Sequence, residues 1–340
     1  MNVLVTGGAG FIGSHFVRIA LDKLPSSKIV VLDALTYAGN LSTLSDVWDR
    51  IRFYPGRIQD EPTVDALIAA EGISHIVNFA AESHNDRSIL AAGSFIETDV
   101  LGVYVLLEAT KRHGLERFVH VSTDEVYGSV LEGSVDESAP LLPNTPYSAS
   151  KAGGDLQVRA HVKAFGTPAV LTRGGNTYGP FQFPEKLISF FVTRLIDGKK
   201  VPLYGDGDQV REWIHARDHA MGILAVLERG QIGETYNIGD ANERLNRDVA
   251  RILLEETGRD PSYIKNIPDP RRGAHDQRYS MDCSMARALG WSPEVPFEDG
   301  LRETARWYIS NEDWWRPLVS AEEFKAFVER FYGQSLGEDL

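Results

Sequence analysis

The segment Thr6-Gly7-Gly8-Ala9-Gly10-Phe11-Ile12-Gly13 constrains the fold of this chain more than any other. It stands between Val3-Leu4-Val5, an apolar run suited to a buried strand, and a stretch near 11–22 with helical periodicity. Glycines at 7, 10 and 13 permit a tight strand-to-helix turn, close approach of backbone to a ligand, and close packing of helix on strand. A helix start also presents unpaired N–H groups and partial positive charge, a seat for phosphate. Asp33 follows Gly13 by 20 residues, at the end of the next apolar run. A carboxylate there accepts hydrogen bonds from ribose hydroxyls and repels a 2′-phosphate. The combination predicts a dinucleotide-binding βαβ unit that prefers NAD to NADP. Arg57, after the third apolar run, is a cation that a 2′-phosphate would seek; Asp33 outweighs it, because it sits where that phosphate would go.

The alternation continues. Strands are expected at 2–6, 28–33, 51–54, 75–80, 117–122 and 168–173, with helical stretches near 11–22, 63–71, 94–113 and 147–165. Such a pattern predicts an α/β fold with a doubly wound parallel sheet of Rossmann type. Farther on, turn signals cluster at 204–208 and 268–273, a strand is expected at 235–239, and helices at 184–198, 217–229, 246–257 and 299–310. The second half therefore reads as a smaller, interleaved α/β substrate domain. The expected division is 1–176 plus about 214–240 for the dinucleotide, and about 177–213 plus 241–340 for the substrate.

Composition narrows the class of ligand. With 35 Lys plus Arg against 48 Asp plus Glu, the 340 residues carry a net charge of −13. That balance argues against nucleic acid and anionic membranes as partners, since both need clustered cations. The lone cysteine, Cys283, excludes an intrachain disulfide and a thiolate zinc site, so no metal is expected. No apolar run is long enough to span a bilayer, and Met1-Asn2 leads straight into a strand, so the cytoplasm is the expected location.

Tyr147-Ser148-Ala149-Ser150-Lys151 places a phenol and an ammonium on one helical face. An ammonium and a positively charged nicotinamide ring both favour phenolate, which can take a proton from an alcohol while hydride leaves for the nicotinamide. Ser122-Thr123 ends the preceding strand. Asp155, on the same helical face, is given no role.

Together these features resemble the extended short-chain dehydrogenase/reductase superfamily. Further stretches resemble the dTDP-glucose 4,6-dehydratases within it, over residues 1 to about 318: Asp33 to Leu41, Ala80 to His84, Ser122 to Gly128, Asn176 to Pro180, Phe183 to Ile188, Arg211-Glu212-Trp213 and Trp314 to Leu318. The stretch from Asp33 to Asn40 and the pair Asp124-Glu125 are the most telling; epimerases of the superfamily usually carry small residues at the pair.

The resemblance implies a division of labour. Tyr147, assisted by Lys151, takes the C4 hydroxyl proton of a hexose; Thr123 holds the C4 oxygen; Glu125 removes the C5 proton; Asp124, protonated, delivers a proton to the departing C6 hydroxyl. NAD is then recycled and tightly held. Cofactor contacts are implied for Gly7, Gly10, Phe11, Ile12, Gly13, Asp33, Ala34, Leu35, Thr36, Ile58, Phe79, Ala80, Ala81, Ser83, Thr98, Tyr147 and Lys151. Substrate contacts are implied for Ser83, Thr123, Asn176, Lys186, Leu187, Pro202, Tyr204, Arg211, Asn246, Arg272 and His275, with Lys186 and Arg211 as diphosphate partners. The chain departs from the family pattern at Arg57 (usually Asp), Asn85 (commonly Val), Gly174, Gly175, Thr177 and 271–274. The resemblance also implies a homodimer built on the helices near 94–113 and 147–165, with Leu101, Val105 and Leu106 on one and Leu156 and Val162 on the other. Competing readings are a nucleotide-sugar 4-epimerase or decarboxylase of the same fold, a 4,6-dehydratase for another nucleotide sugar, and an NAD-sensing protein without turnover.

Overall fold

A computed structural model describes residues 1–269 and 276–339. Its centre is a seven-stranded sheet with every neighbouring pair parallel. The strands are β1 (Asn2–Thr6), β2 (Lys28–Asp33), β3 (Arg52–Pro55), β4 (His75–Asn78), β5 (Arg117–Thr123), β6 (Ala169–Gly174) and a last one over Thr235–Ile238. The spatial order is β3-β2-β1-β4-β5-β6 followed by 235–238. The chain thus works outward from β1 to β3, then returns to the other side of β1 with β4. That reversal opens a crevice at the carboxyl ends of β1 and β4, where such sheets bind ligands.

Most of the sheet is buried on both faces, which is why its strands read as continuous apolar runs. One face packs on the helices Phe11–Lys23 and Ala216–Arg229, through Phe16, Val17, Ile223 and Leu227. The other packs on Glu61–Glu71, Val103–Arg112 and Pro146–Phe165, through Leu67, Leu106, Leu107 and Val158. The expected α/β fold is therefore present, and its strand and helix positions agree with expectation to within a few residues.

The stretch read as one helix at 94–113 runs through Gly93–Ile96, a π-type segment Glu97–Gly102, and Val103–Arg112. Its faces differ from expectation. Val105 and Leu106 belong to the intramolecular core and Val162 packs against it, while Leu101 and Leu156 are exposed. The helical period could not divide inward from outward residues, because both faces of this helix pair are apolar.

A third apolar core lies away from the large sheet. It gathers Tyr178, Phe190, Trp213, Leu253, Leu301, Tyr308, Trp315 and Phe327. Around it stand a three-stranded sheet (Asn176–Tyr178, Val210–His215, Glu243–Leu245), a pair of strands (Val201–Tyr204, Ile264–Ile267) and two helices near the end, Glu312–Ser320 and Glu322–Leu336. None of these seven elements was expected from periodicity. Among the described residues no helix is long and apolar enough to cross a membrane.

Candidate active site

A single cleft of about 400 Å³ runs from the Gly-rich turn, past the carboxyl ends of β1, β4, β5 and β6, to the third core. At one end the turn is locked by sterics. Gly7 has φ +69°, and a Cβ on it would stand 2.6 Å from the Ala80 nitrogen. A Cβ on Gly13 would overlap the Gly7 carbonyl. A Cβ on Gly10 would find only the Gly7 oxygen, at 3.2 Å. The helix Phe11–Lys23 that starts here has no side-chain cap and no acidic residue in its first turn. Its first N–H groups are thus left for an anion, and the glycines leave room for one.

Asp33 is held rigidly at the tip of β2. Its Oδ2 accepts from the Ala9 N–H at 2.9 Å and its Oδ1 from the Leu35 N–H at 2.8 Å. Burial pushes its carboxyl up and these two bonds oppose it. Leu35 takes a left-handed conformation, φ 49°, to make the bond. Each oxygen retains lone-pair capacity for a ribose hydroxyl. This donor and acceptor set fits a dinucleotide. Leu35 is the one expected cofactor contact that does not line the cleft; it turns its backbone to Asp33 instead.

At the middle of the cleft β5 ends in Thr123, which caps a short turn, Asp124–Tyr127. The Thr123 hydroxyl donates to Asp124 Oδ1 at 3.1 Å. Asp124 is 3% exposed, and its Oδ2 has no hydrogen-bond partner. Burial, then the charges of Glu125 and Glu212, push its carboxyl well above the usual range. That direction favours the protonated form, the form a proton donor at neutral pH needs. Glu125 beside it is half-buried, and its Oε2 accepts from Asn85 Nδ2 at 2.5 Å.

Tyr147 and Lys151 face the same space from the helix Pro146–Phe165. Pro146 suits the first helical position, and a capping box between Thr145 and Ser148 fixes the helix start. Burial, followed by the charges of Glu125 and Asp99, pushes the Tyr147 phenol well up; its hydrogen bond with Thr123 opposes them. The phenol is therefore protonated here, and a further cation is needed before it acts as a base. Lys151 Nζ donates to the Val121 carbonyl at 2.8 Å. Asp99 lies buried near that ammonium, its carboxyl raised to about 6 by burial and restrained by Lys151 and the Ser150 hydroxyl. Asp155, given no role from the sequence, pairs with Arg173 at 2.9 Å in the interior.

The far end is lined by Ser83, Asn176, Lys186, Leu187, Pro202, Tyr204, Arg211 and Asn246, as expected from the sequence. Asn176 Nδ2 and Asn246 Oδ1 are buried without protein partners. The Lys186 ammonium donates to the Ser83 carbonyl across the cleft. The Arg211 guanidinium reaches the carbonyls of Val210, Gln277 and Asp276 and stands over the Tyr279 ring. Arg272 and His275, expected to contact substrate, lie outside the described residues.

Several lining residues were not legible in the sequence: Gln59, Glu82, Asn85, His219 and Tyr279. Gln59 Nε2 donates to Thr98 Oγ1 at 2.9 Å. His219 explains two departures from the family pattern. A Cβ on Gly174 would overlap its ring, and its Nδ1 lies 2.7 Å from Thr177 Oγ1. No local motif marks such residues; only their neighbours in space do.

The family model described as GDP-mannose 4,6 dehydratase matches residues 4–304. A dTDP-glucose 4,6-dehydratase of Streptomyces niveus is 49% identical over 330 residues, 95% of this chain and 97% of that protein. Among solved structures, the dTDP-glucose 4,6-dehydratase DesIV of Streptomyces venezuelae, with NAD and a second ligand bound, has a TM-score of 0.90 and 50% identity, covering 94% of this chain and 100% of that one. The UDP-glucose 4-epimerase of Thermotoga maritima shares the fold at a TM-score of 0.85, but at 28% identity over 92% of this chain and all of its own. On the family match and the near full-length identity together, the chain belongs to the nucleotide-sugar 4,6-dehydratases, the family described by the GDP-mannose 4,6 dehydratase model.

Proposed function

We propose that this chain is a dTDP-glucose 4,6-dehydratase, a hydro-lyase that holds NAD and recycles it in each turnover. The carrying observation is the Asp124-Glu125 pair at the end of β5, with a buried, partner-free carboxyl oxygen beside Thr123 and Tyr147. An epimerase has no use for two such carboxyls.

The proposed roles follow from position. Bound NAD would supply the hydride acceptor for C4, the hydride donor for C6, and a positive ring that would lower the Tyr147 phenol. Tyr147 then accepts the C4 hydroxyl proton, with Thr123 holding the oxygen. The C4 ketone acidifies the C5 proton, which Glu125 removes. Asp124 gives its proton to the C6 hydroxyl, and water leaves. Glu125 returns a proton to C5 once C6 is reduced. Asn176, Lys186, Arg211 and Asn246 hold the nucleotide diphosphate. Residues 1–176 with about 214–240 carry the cofactor, and the remainder carries the substrate.

A homodimer is part of the proposal. Ile96, Leu101, Tyr104, Leu156 and Phe165 lie exposed on two packed helices, an apolar face that a second copy would cover. The cytoplasm is the proposed location, where a lone buried thiol stays reduced.

The test is one incubation of purified protein with dTDP-glucose and no added NAD. A product lighter by one water supports the reading. An isomer of unchanged mass would make it an epimerase, and inertness toward dTDP-, UDP- and GDP-sugars would make it a binding protein.

A further inference from the structure

Asn85 opens the short helix Asn85–Leu90 that follows β4, and its side chain bridges two parts of the site. The amide nitrogen donates to Glu125 Oε2 at 2.5 Å. The amide oxygen accepts from the Thr145 hydroxyl at 2.7 Å. Thr145 caps the helix that carries Tyr147 and Lys151; its Oγ1 accepts from the Ser148 N–H at 3.1 Å, and its own N–H donates to Ser148 Oγ at 3.0 Å. The orientation of the amide is thus determined at both ends. An ionised carboxylate only accepts, so the NH₂ group must face Glu125, and the oxygen is left for the hydroxyl.

We propose that Asn85 is a positioning residue for the elimination step: it keeps the Glu125 carboxylate aimed at C5, and ties it to the start of the helix that presents Tyr147. The proposal rests on Glu125 being the C5 base. A hydrogen bond to a carboxylate is stronger than one between neutral groups, so it holds the acceptor in place. The titratable groups that sense the Glu125 charge are Asp124, Tyr147 and Tyr279, and the Arg211 cation acts on Asp124 and Tyr279. All of these remain in a variant at position 85, so a change there reports the amide. Asn85 touches no reacting atom in this account; it acts through Glu125.

The test separates the two half-reactions. In single turnovers, the rise of reduced-cofactor absorbance measures C4 oxidation, and quenched product measures elimination. Asn85→Val removes the donor, and Asn85→Asp puts a second carboxylate against Glu125. Elimination is expected to slow by about tenfold in Asn85→Val and by more in Asn85→Asp. The oxidation rate and KM stay within about twofold of wild type. Elimination at the wild-type rate in both variants, or equal slowing of the two half-reactions, would overturn the proposal. Glu125→Gln runs alongside. Elimination at the wild-type rate in that variant would remove the base assignment itself, and the role of Asn85 with it.

Discussion

Replacing Asp124 by asparagine should cripple the reaction and strengthen the protein. Asparagine has the same shape, and its carbonyl can accept the Thr123 hydroxyl as Asp124 Oδ1 does at 3.1 Å. What is lost is the dissociable proton. General acids contribute about 10² to 10⁴ in rate, so elimination should slow by that factor while C4 oxidation stays close to wild type. The stability gain comes from the surroundings of the carboxyl. Asp124 is almost fully buried, Oδ2 has no partner, and burial with nearby Glu125 and Glu212 raises its folded pKa. A raised carboxyl weakens the fold as pH climbs above its unfolded value of 3.8, and the penalty is complete only above the folded value. Asparagine carries no such penalty. The variant should match wild type near pH 4 and gain with rising pH, reaching on the order of 1–3 kcal/mol. At 340 residues that is a rise of about 1–4 °C in Tm. Thermal melts from pH 4 to pH 8, beside single-turnover product formation, measure both effects. A Tm difference independent of pH, or a less stable variant, would refute the account of Asp124 as a buried, proton-holding acid. So would normal elimination.

Three further outcomes are expected. Tyr147→Phe should lower C4 oxidation by about 10² to 10⁴, leaving no reduced-cofactor absorbance after substrate is added. Gly7→Ala should destabilise the fold, because its Cβ meets the Ala80 backbone in a left-handed turn; Gly10→Ala, with only one contact at 3.2 Å, should fold normally and lose NAD affinity by about tenfold or more, read by melting and by titration. Leu101→Glu with Leu156→Glu should leave a folded monomer by light scattering, since both side chains are exposed in one chain; a dimer of unchanged affinity would place the interface elsewhere.

The locally written features are legible in the sequence itself. The turn from Gly7 to Gly13, the acid at 33, the Tyr147 and Lys151 spacing and the Asp124-Glu125 pair each sit within one strand-to-helix unit. Sheet and helix periods are likewise local, and they place β1 to β6 and most helices. Short strands such as Glu243–Leu245 and Ile264–Ile267 escaped, because they are held by pairing with Val210–His215 and Val201–Tyr204 rather than by their own pattern.

Tertiary structure alone decided the environments. Glu185 draws Tyr37 and Arg87 together across 148 and 98 residues of chain, and Asn85 joins Glu125 to Thr145 across 40 and 60. Burial pushes the Asp124 carboxyl and the Tyr147 phenol upward, toward their protonated forms. Packing turned Val105 and Leu106 inward and left Leu101 out. Residue type and spacing state which chemical groups are available. Solvent exclusion and long-range neighbours set their protonation and aim, and both exist only once the chain is folded.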